Sequence, residues 1–172
     1  DDAAIARWHE PDPDLYLASR RGLMGLWAVC WRRGRFGQCH PAHVAAITAS
    51  VWQDGKKEHA CREFGLCEPS VLVELLRPFA LSPDIMSASD LAAFAALPET
   101  LTLYRGGTGP EDALAQGTSW TLDRAIAEYF ADHRPAGMVI ERRADKASLI
   151  AYFGDREREA VLAPSHHLNA TA

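Results

Sequence analysis

Leu101-Thr102-Leu103-Tyr104-Arg105-Gly106-Gly107 is the stretch at which this chain of 172 residues changes character. The short apolar-rich run Leu101–Tyr104 reads as a strand, and Gly106-Gly107 closes it where backbone can approach a ligand closely. Upstream of Leu97-Pro98 the apolar residues recur at helical spacing, and downstream they form short runs separated by polar turns. The chain therefore reads as an α/β (α+β) protein. A helical part is expected over residues 1–97, followed by a small, mixed-strand β core over 98–172.

In the helical part, Asp14 to Trp31 carries apolar residues at 15, 23, 26, 27 and 30, with Gly22 and Gly25 weakening the pattern or admitting a close neighbour. A second helix is expected over 41–53, opened by Pro41 and continued by Val44, Ile47, Val51 and Trp52. A third follows Glu68-Pro69-Ser70 and stops near Pro78, and a short one over Leu91–Leu97 is capped by Ser87-Ala88-Ser89-Asp90. Downstream, Met138–Arg142 and Leu149–Phe153 are strand candidates on either side of an Asp145-Lys146 turn.

Chemistry concentrates in three stretches of the β part: Leu103-Tyr104-Arg105-Gly106, Thr118-Ser119-Trp120-Thr121, and Glu157-Arg158-Glu159-Ala160-Val161-Leu162. Residues two apart on a strand share a face, so Ser119 is expected beside Thr121, and Glu157 beside Glu159. Paired like charges need a cation or hydrogen-bond donors, and Arg105 is the nearest candidate. Each residue also has a plain structural reading. Asp155-Arg156-Glu157-Arg158-Glu159 is compatible with a solvated strand edge, Ser119 with a turn or cap, and Arg105 with a structural ion pair. Between the second and third stretches, Leu122, Ile126, Tyr129 and Phe130 fall on one helical stripe, with Thr121 or Asp123 as N-cap and Phe130 readable as core.

Taken in this order, the Arg at a first strand, the Ser-x-Thr strand and the Glu-x-Glu strand resemble the arginine–serine–glutamate class of mono-ADP-ribosyltransferases, the cholera-toxin-like and C2-like enzymes. The resemblance covers roughly residues 99–163. It implies an ADP-ribosyltransferase-like core that consumes NAD as a substrate without a metal. Glu159 then stabilises the positive charge that develops on the ribose, and Ser119 orients Glu159 or the ribose. Arg105 holds a phosphate, Gly106 offers backbone groups to the carboxamide, Thr121 belongs to the NAD-binding set, and Phe130 packs on nicotinamide. Glu157 matches the position that orients or deprotonates an acceptor, an arginine side chain of a protein being the one expected. Trp120 departs from the family pattern, where a small or hydroxylated residue is commoner at that position. The Arg105–Ser119 interval is short, so any helix within it must be abbreviated. Relatives of this type act as bacterial or phage toxins and effectors, which implies a macromolecular target and an immunity or activating partner.

Other functions remain in competition. An NAD glycohydrolase would use water as acceptor, and a binding module would keep the fold without turnover. A two-carboxylate glycosidase would require Glu157 and Glu159 on opposite sides of a sugar bond, which neighbours on one strand cannot easily supply. A formal net charge of −5 gives no support to indiscriminate nucleic-acid binding, although Arg32-Arg33-Gly34-Arg35 is a local basic run. No run approaches the roughly 20 apolar residues of a membrane span, so no membrane partner is expected. No signal peptide is evident, and Asp1 stands where an initiator Met would; cytoplasmic residence and secretion or delivery into a target cell both stay open. Cys30, Cys39, Cys61 and Cys67 lie near His40, His43 and His59 but form no Cys-x-x-Cys pair. Free thiols, disulfides and zinc all stay open for them, and no metal is expected in the catalytic site.

Overall fold

The computed structural model describes Gly37, residues 39–53, 69–154 and 157–163. The helix expected over Asp14–Trp31, the Arg32–Arg35 run, three of the cysteines (Cys30, Cys61 and Cys67) and His59 lie outside the described residues. The chain divides into two compact units, Asp1–Met86 and Ser87–Ala172.

In the first unit, α1 (Pro41–Gln53) starts at the expected proline and buries Val44, Ala45, Thr48, Ala49, Val51 and Trp52. The Thr48 hydroxyl satisfies itself within the helix by donating to the Val44 carbonyl at 2.7 Å. Helix α2 (Pro69–Leu76) packs on α1 and buries Leu72, Val73 and Leu76. It passes into a 3₁₀ turn, Arg77–Phe79, where Pro78 removes the next backbone donor.

The second unit is built on strands β1 (Thr100–Gly107), β2 (Ser119–Thr121), β3 (Met138–Asp145), β4 (Leu149–Phe153) and β5 (Glu159–Leu162), hydrogen-bonded in the order β3-β1-β2-β5-β4. The class is α+β. The expected mixed pairing is corrected: every neighbouring pair is antiparallel. A parallel pair needs a crossover of a dozen or more residues, and the β3–β4 and β4–β5 connections are far shorter. Strands β3 and β4 are the two edges, yet the only residues between them are Lys146–Ser148. That link spans at most about 14 Å, against about 19 Å across four strand spacings of a flat sheet. The sheet is therefore curled.

Leu101 and Leu103 are buried between exposed Thr100 and Thr102, the alternation of a half-buried strand. With Trp120, Ile140, Leu149, Val161 and Leu162 they form the core of this unit. Helix α3 (Ala88–Ala95) belongs here, so the division falls before it instead of at Leu97-Pro98. Composition groups α3 with the helices upstream, but long-range hydrogen bonds group it with the sheet. The Gly154 N–H donates to Asp90 Oδ1 at 2.7 Å, and Lys146 Nζ donates to the carbonyls of Ala95 and Leu97, each at 2.9 Å. The second contact places a cation on the carbonyl end of α3, where the helix dipole favours it.

A short helix, α4 (Glu111–Ala115), fills the abbreviated interval between Arg105 and Ser119. Helix α5 (Arg124–Asp132) follows β2 with Asp123 as N-cap, its side chain accepting from the Ala125 N–H at 2.9 Å. Its buried face is Ala127 and Ala131, not the larger stripe expected from the sequence; Tyr129 is 57% exposed. The cause is close packing. A Cβ at Gly106 of β1 would lie 1.8 Å from the Ala127 carbonyl oxygen, and one at Gly137 would lie 1.9 Å from that of Ala131. Among the described residues, no helix is long and apolar enough to cross a membrane.

Candidate active site

The site begins with the β2–β5 register. Thr121 lies opposite Glu159, and Ser119 lies opposite Val161. Paired residues and residues two apart share a face, so Ser119, Thr121 and Glu159 emerge together, with Ser119 diagonal to Glu159. The Ser119 hydroxyl donates to Glu159 Oε1. Glu159 is 7% exposed, and a carboxylate so placed needs such a donor.

Arg105 comes from β1, whose Tyr104 is opposite Thr121. Strand alternation sends the Arg105 side chain off the other face from Tyr104, and its Nη1 donates to the backbone carbonyl of Ser119. Arg105, Ser119 and Glu159 thus form one continuous line of contacts across β1, β2 and β5. Arg105 lies within β1, which continues to Gly107, and not at its end.

Gly117 makes room for this guanidinium. A Cβ there would lie 2.3 Å from Arg105 Cζ. The Gly117 carbonyl in turn accepts from Trp120 Nε1 at 2.7 Å. Trp120 is 2% exposed and shares a face with Ala160, away from Ser119 and Thr121. The departure at this position is thereby accommodated: the indole is core, with the Arg142 guanidinium 5.2 Å from its ring centroid.

Glu157 is placed differently from the expectation. Strand β5 begins at Glu159, Arg158 has a left-handed φ of 47°, and Glu157 is exposed in a bend. The positive φ interrupts strand alternation, so the two glutamates are not a same-face pair on one strand. The Glu157 carbonyl accepts from Thr121 Oγ1 at 2.6 Å, and the Arg158 carbonyl accepts from the Leu122 N–H at 3.1 Å. Thr121 Oγ1 also accepts from the Asp123 N–H at 3.0 Å.

Gly106 pairs with Val139 in the β1–β3 ladder and lies beneath α5. Phe130 is half-buried on α5, its ring edge-on to Tyr129 with centroids 5.7 Å apart. Two residues that support the site escaped the sequence reading. Gly117 had a signal, as the glycine just before the hydroxyl strand. Asp90 read only as part of a cap, although its buried carboxylate also holds the turn after β4 through Gly154.

No protein-family model, curated protein or solved structure matches this chain. What the site can do therefore follows from its own chemistry. A buried carboxylate held by a hydroxyl can stabilise a developing cation on a sugar ring, and a guanidinium can bind an anionic group; Arg105, sent by strand alternation off the face opposite to the Ser119 and Glu159 side chains, is joined to them through the Ser119 backbone carbonyl. Among the described residues, no group of three or more His, Cys, Asp or Glu side chains gathers as metal ligands would.

Proposed function

We propose that this chain is a mono-ADP-ribosyltransferase that consumes NAD and transfers ADP-ribose to an arginine side chain of a protein, acting as a bacterial or phage toxin or effector. The observation that supports it is the continuous contact from Arg105 through Ser119 to Glu159, three residues from three strands. A solvated strand edge does not require its glutamate to be buried and met by a serine from the next strand.

In this mechanism the bond between nicotinamide nitrogen and ribose C1′ breaks, and its electron pair leaves with nicotinamide. Positive charge develops at C1′ and the ring oxygen. Glu159 stabilises that charge and hydrogen-bonds the ribose 2′-hydroxyl, as a carboxylate does in glycoside cleavage. Ser119 fixes the Glu159 rotamer, so little reorganisation is needed as charge forms. Arg105 binds an NAD phosphate, and its contact with the Ser119 carbonyl couples substrate binding to the strand that holds Glu159. The nicotinamide ring is assigned to Phe130, and its carboxamide to the backbone groups of Gly106. The exposed Glu157 takes the proton released when a guanidinium nitrogen attacks C1′. Its exposure suits an acceptor as large as a protein.

The test is incubation with NAD labelled on the adenylate in a bacterial lysate, beside the Glu159→Gln variant. Glu159-dependent label on protein is expected. Nicotinamide release without attached label would replace the transferase with an NAD glycohydrolase, and no release would remove both.

A further inference from the structure

Thr121 is 6% exposed, and its hydroxyl is used twice. It donates its hydrogen to the Glu157 carbonyl at 2.6 Å and accepts from the Asp123 N–H at 3.0 Å. A hydroxyl has one hydrogen to give, and here it goes to backbone. The residue that receives it is the one that leaves the β5 line. Arg158 stands between Glu157 and Glu159 with φ of 47°, a region that a residue with a Cβ adopts only when its surroundings hold it there. The holding groups are Thr121 Oγ1 on the Glu157 carbonyl and the Leu122 N–H on the Arg158 carbonyl at 3.1 Å.

We infer that Thr121 is a positioning residue for Glu157, and that this hydrogen bond sets how much ADP-ribose goes to a guanidinium acceptor instead of water. The inference rests on the transferase reading above. Transfer forms a bond from the guanidinium nitrogen to C1′ as the nicotinamide bond breaks, with the acceptor's proton passing to Glu157. Hydrolysis forms the corresponding bond from water oxygen. Both paths share Arg105, Ser119 and Glu159, but only transfer needs the Glu157 carboxylate at a fixed place relative to C1′. Displacing a reacting group by about an ångström is enough to lose most of an orientation advantage.

The measurement is the ratio of ADP-ribose attached to agmatine, a small guanidinium, to ADP-ribose released into water, using adenylate-labelled NAD and the full chain. Thr121→Val is expected to lower that ratio about tenfold, the scale of one lost orienting hydrogen bond. Thr121→Ser, which keeps the hydroxyl, restores it. Because Thr121 acts through Glu157, the double variant Thr121→Val with Glu157→Gln should show the ratio of Glu157→Gln alone. Loss of folded protein lowers both products together and leaves the ratio unmoved. An unchanged ratio in Thr121→Val, a ratio that Thr121→Ser fails to restore, or a double variant with additive losses would overturn the assignment. Wild-type hydrolysis without transfer to agmatine would do the same. Absence of nicotinamide release by the wild type would instead overturn the transferase reading beneath it.

Discussion

At the scale of the residue, the two glutamates have separate environments and are expected to separate in function. Glu159 is buried and bonded to Ser119, whereas Glu157 is exposed and held by its backbone. Glu159→Gln is expected to lower nicotinamide release by about two to three orders of magnitude, the usual loss when a charge-stabilising group is removed. Glu157→Gln should leave release nearly intact and suppress label on the acceptor; a quench-flow or product-release assay on both variants checks this. Equal, small losses would remove both residues from the catalytic role and leave Glu159 as a buried structural carboxylate. The shared face of Ser119 and Thr121 was legible in the sequence from strand alternation, whereas Arg105 and Glu159 were singled out by the order of the three stretches and the resemblance it carries. The divergence of Glu157 was not legible, because it turns on a positive φ at Arg158 that no glycine announces.

At the scale of the element, the contact of β1 with α5 decides where the nicotinamide end of the proposed pocket can lie. Gly106→Ala places a methyl 1.8 Å from the Ala127 carbonyl oxygen, so helix or strand must move. A loss of about 1–3 kcal/mol is expected, as for other overpacked sites, and urea unfolding measures it. Stability equal to the wild type would mean that α5 does not pack on β1 as described. A second weak point is the N-terminus of α3, where Ser87 and Asp90 form a capping box and Asp90 also accepts from Gly154. Asp90→Ala is expected to cost about 1–3 kcal/mol by orphaning the Gly154 N–H, more than the roughly 1 kcal/mol of a simple cap loss. Asp90→Asn, which keeps an acceptor oxygen, should recover most of it. The existence of these elements could be read from periodicity and from Ser87, Pro41 and Pro78. The buried face of α5 could not, since large apolar residues suggested the wrong stripe. The small Ala127 and Ala131 meet Gly106, which is distant in sequence, a partnership no local pattern displays.

At the scale of the whole molecule, the α+β class followed from the change of period near Leu97, while the strand order did not. Pairings such as Thr121 with Glu159 join residues far apart in sequence, and alternation fixes a face without naming a neighbour. The unit Ser87–Ala172 contains every residue proposed for catalysis. A formal net charge of −5 disfavours a polyanionic acceptor, so label from NAD in a lysate is expected to be removed by protease and to survive nuclease. Nuclease-sensitive label would reassign the acceptor while leaving Glu159 in its role. The most direct test of the whole account is nicotinamide release from NAD by purified wild-type protein and by Glu159→Gln, with both shown to be folded by circular dichroism. Release by the wild type and its near loss in the variant is the expected result. No release by the folded wild type, or equal release by both proteins, would contradict it.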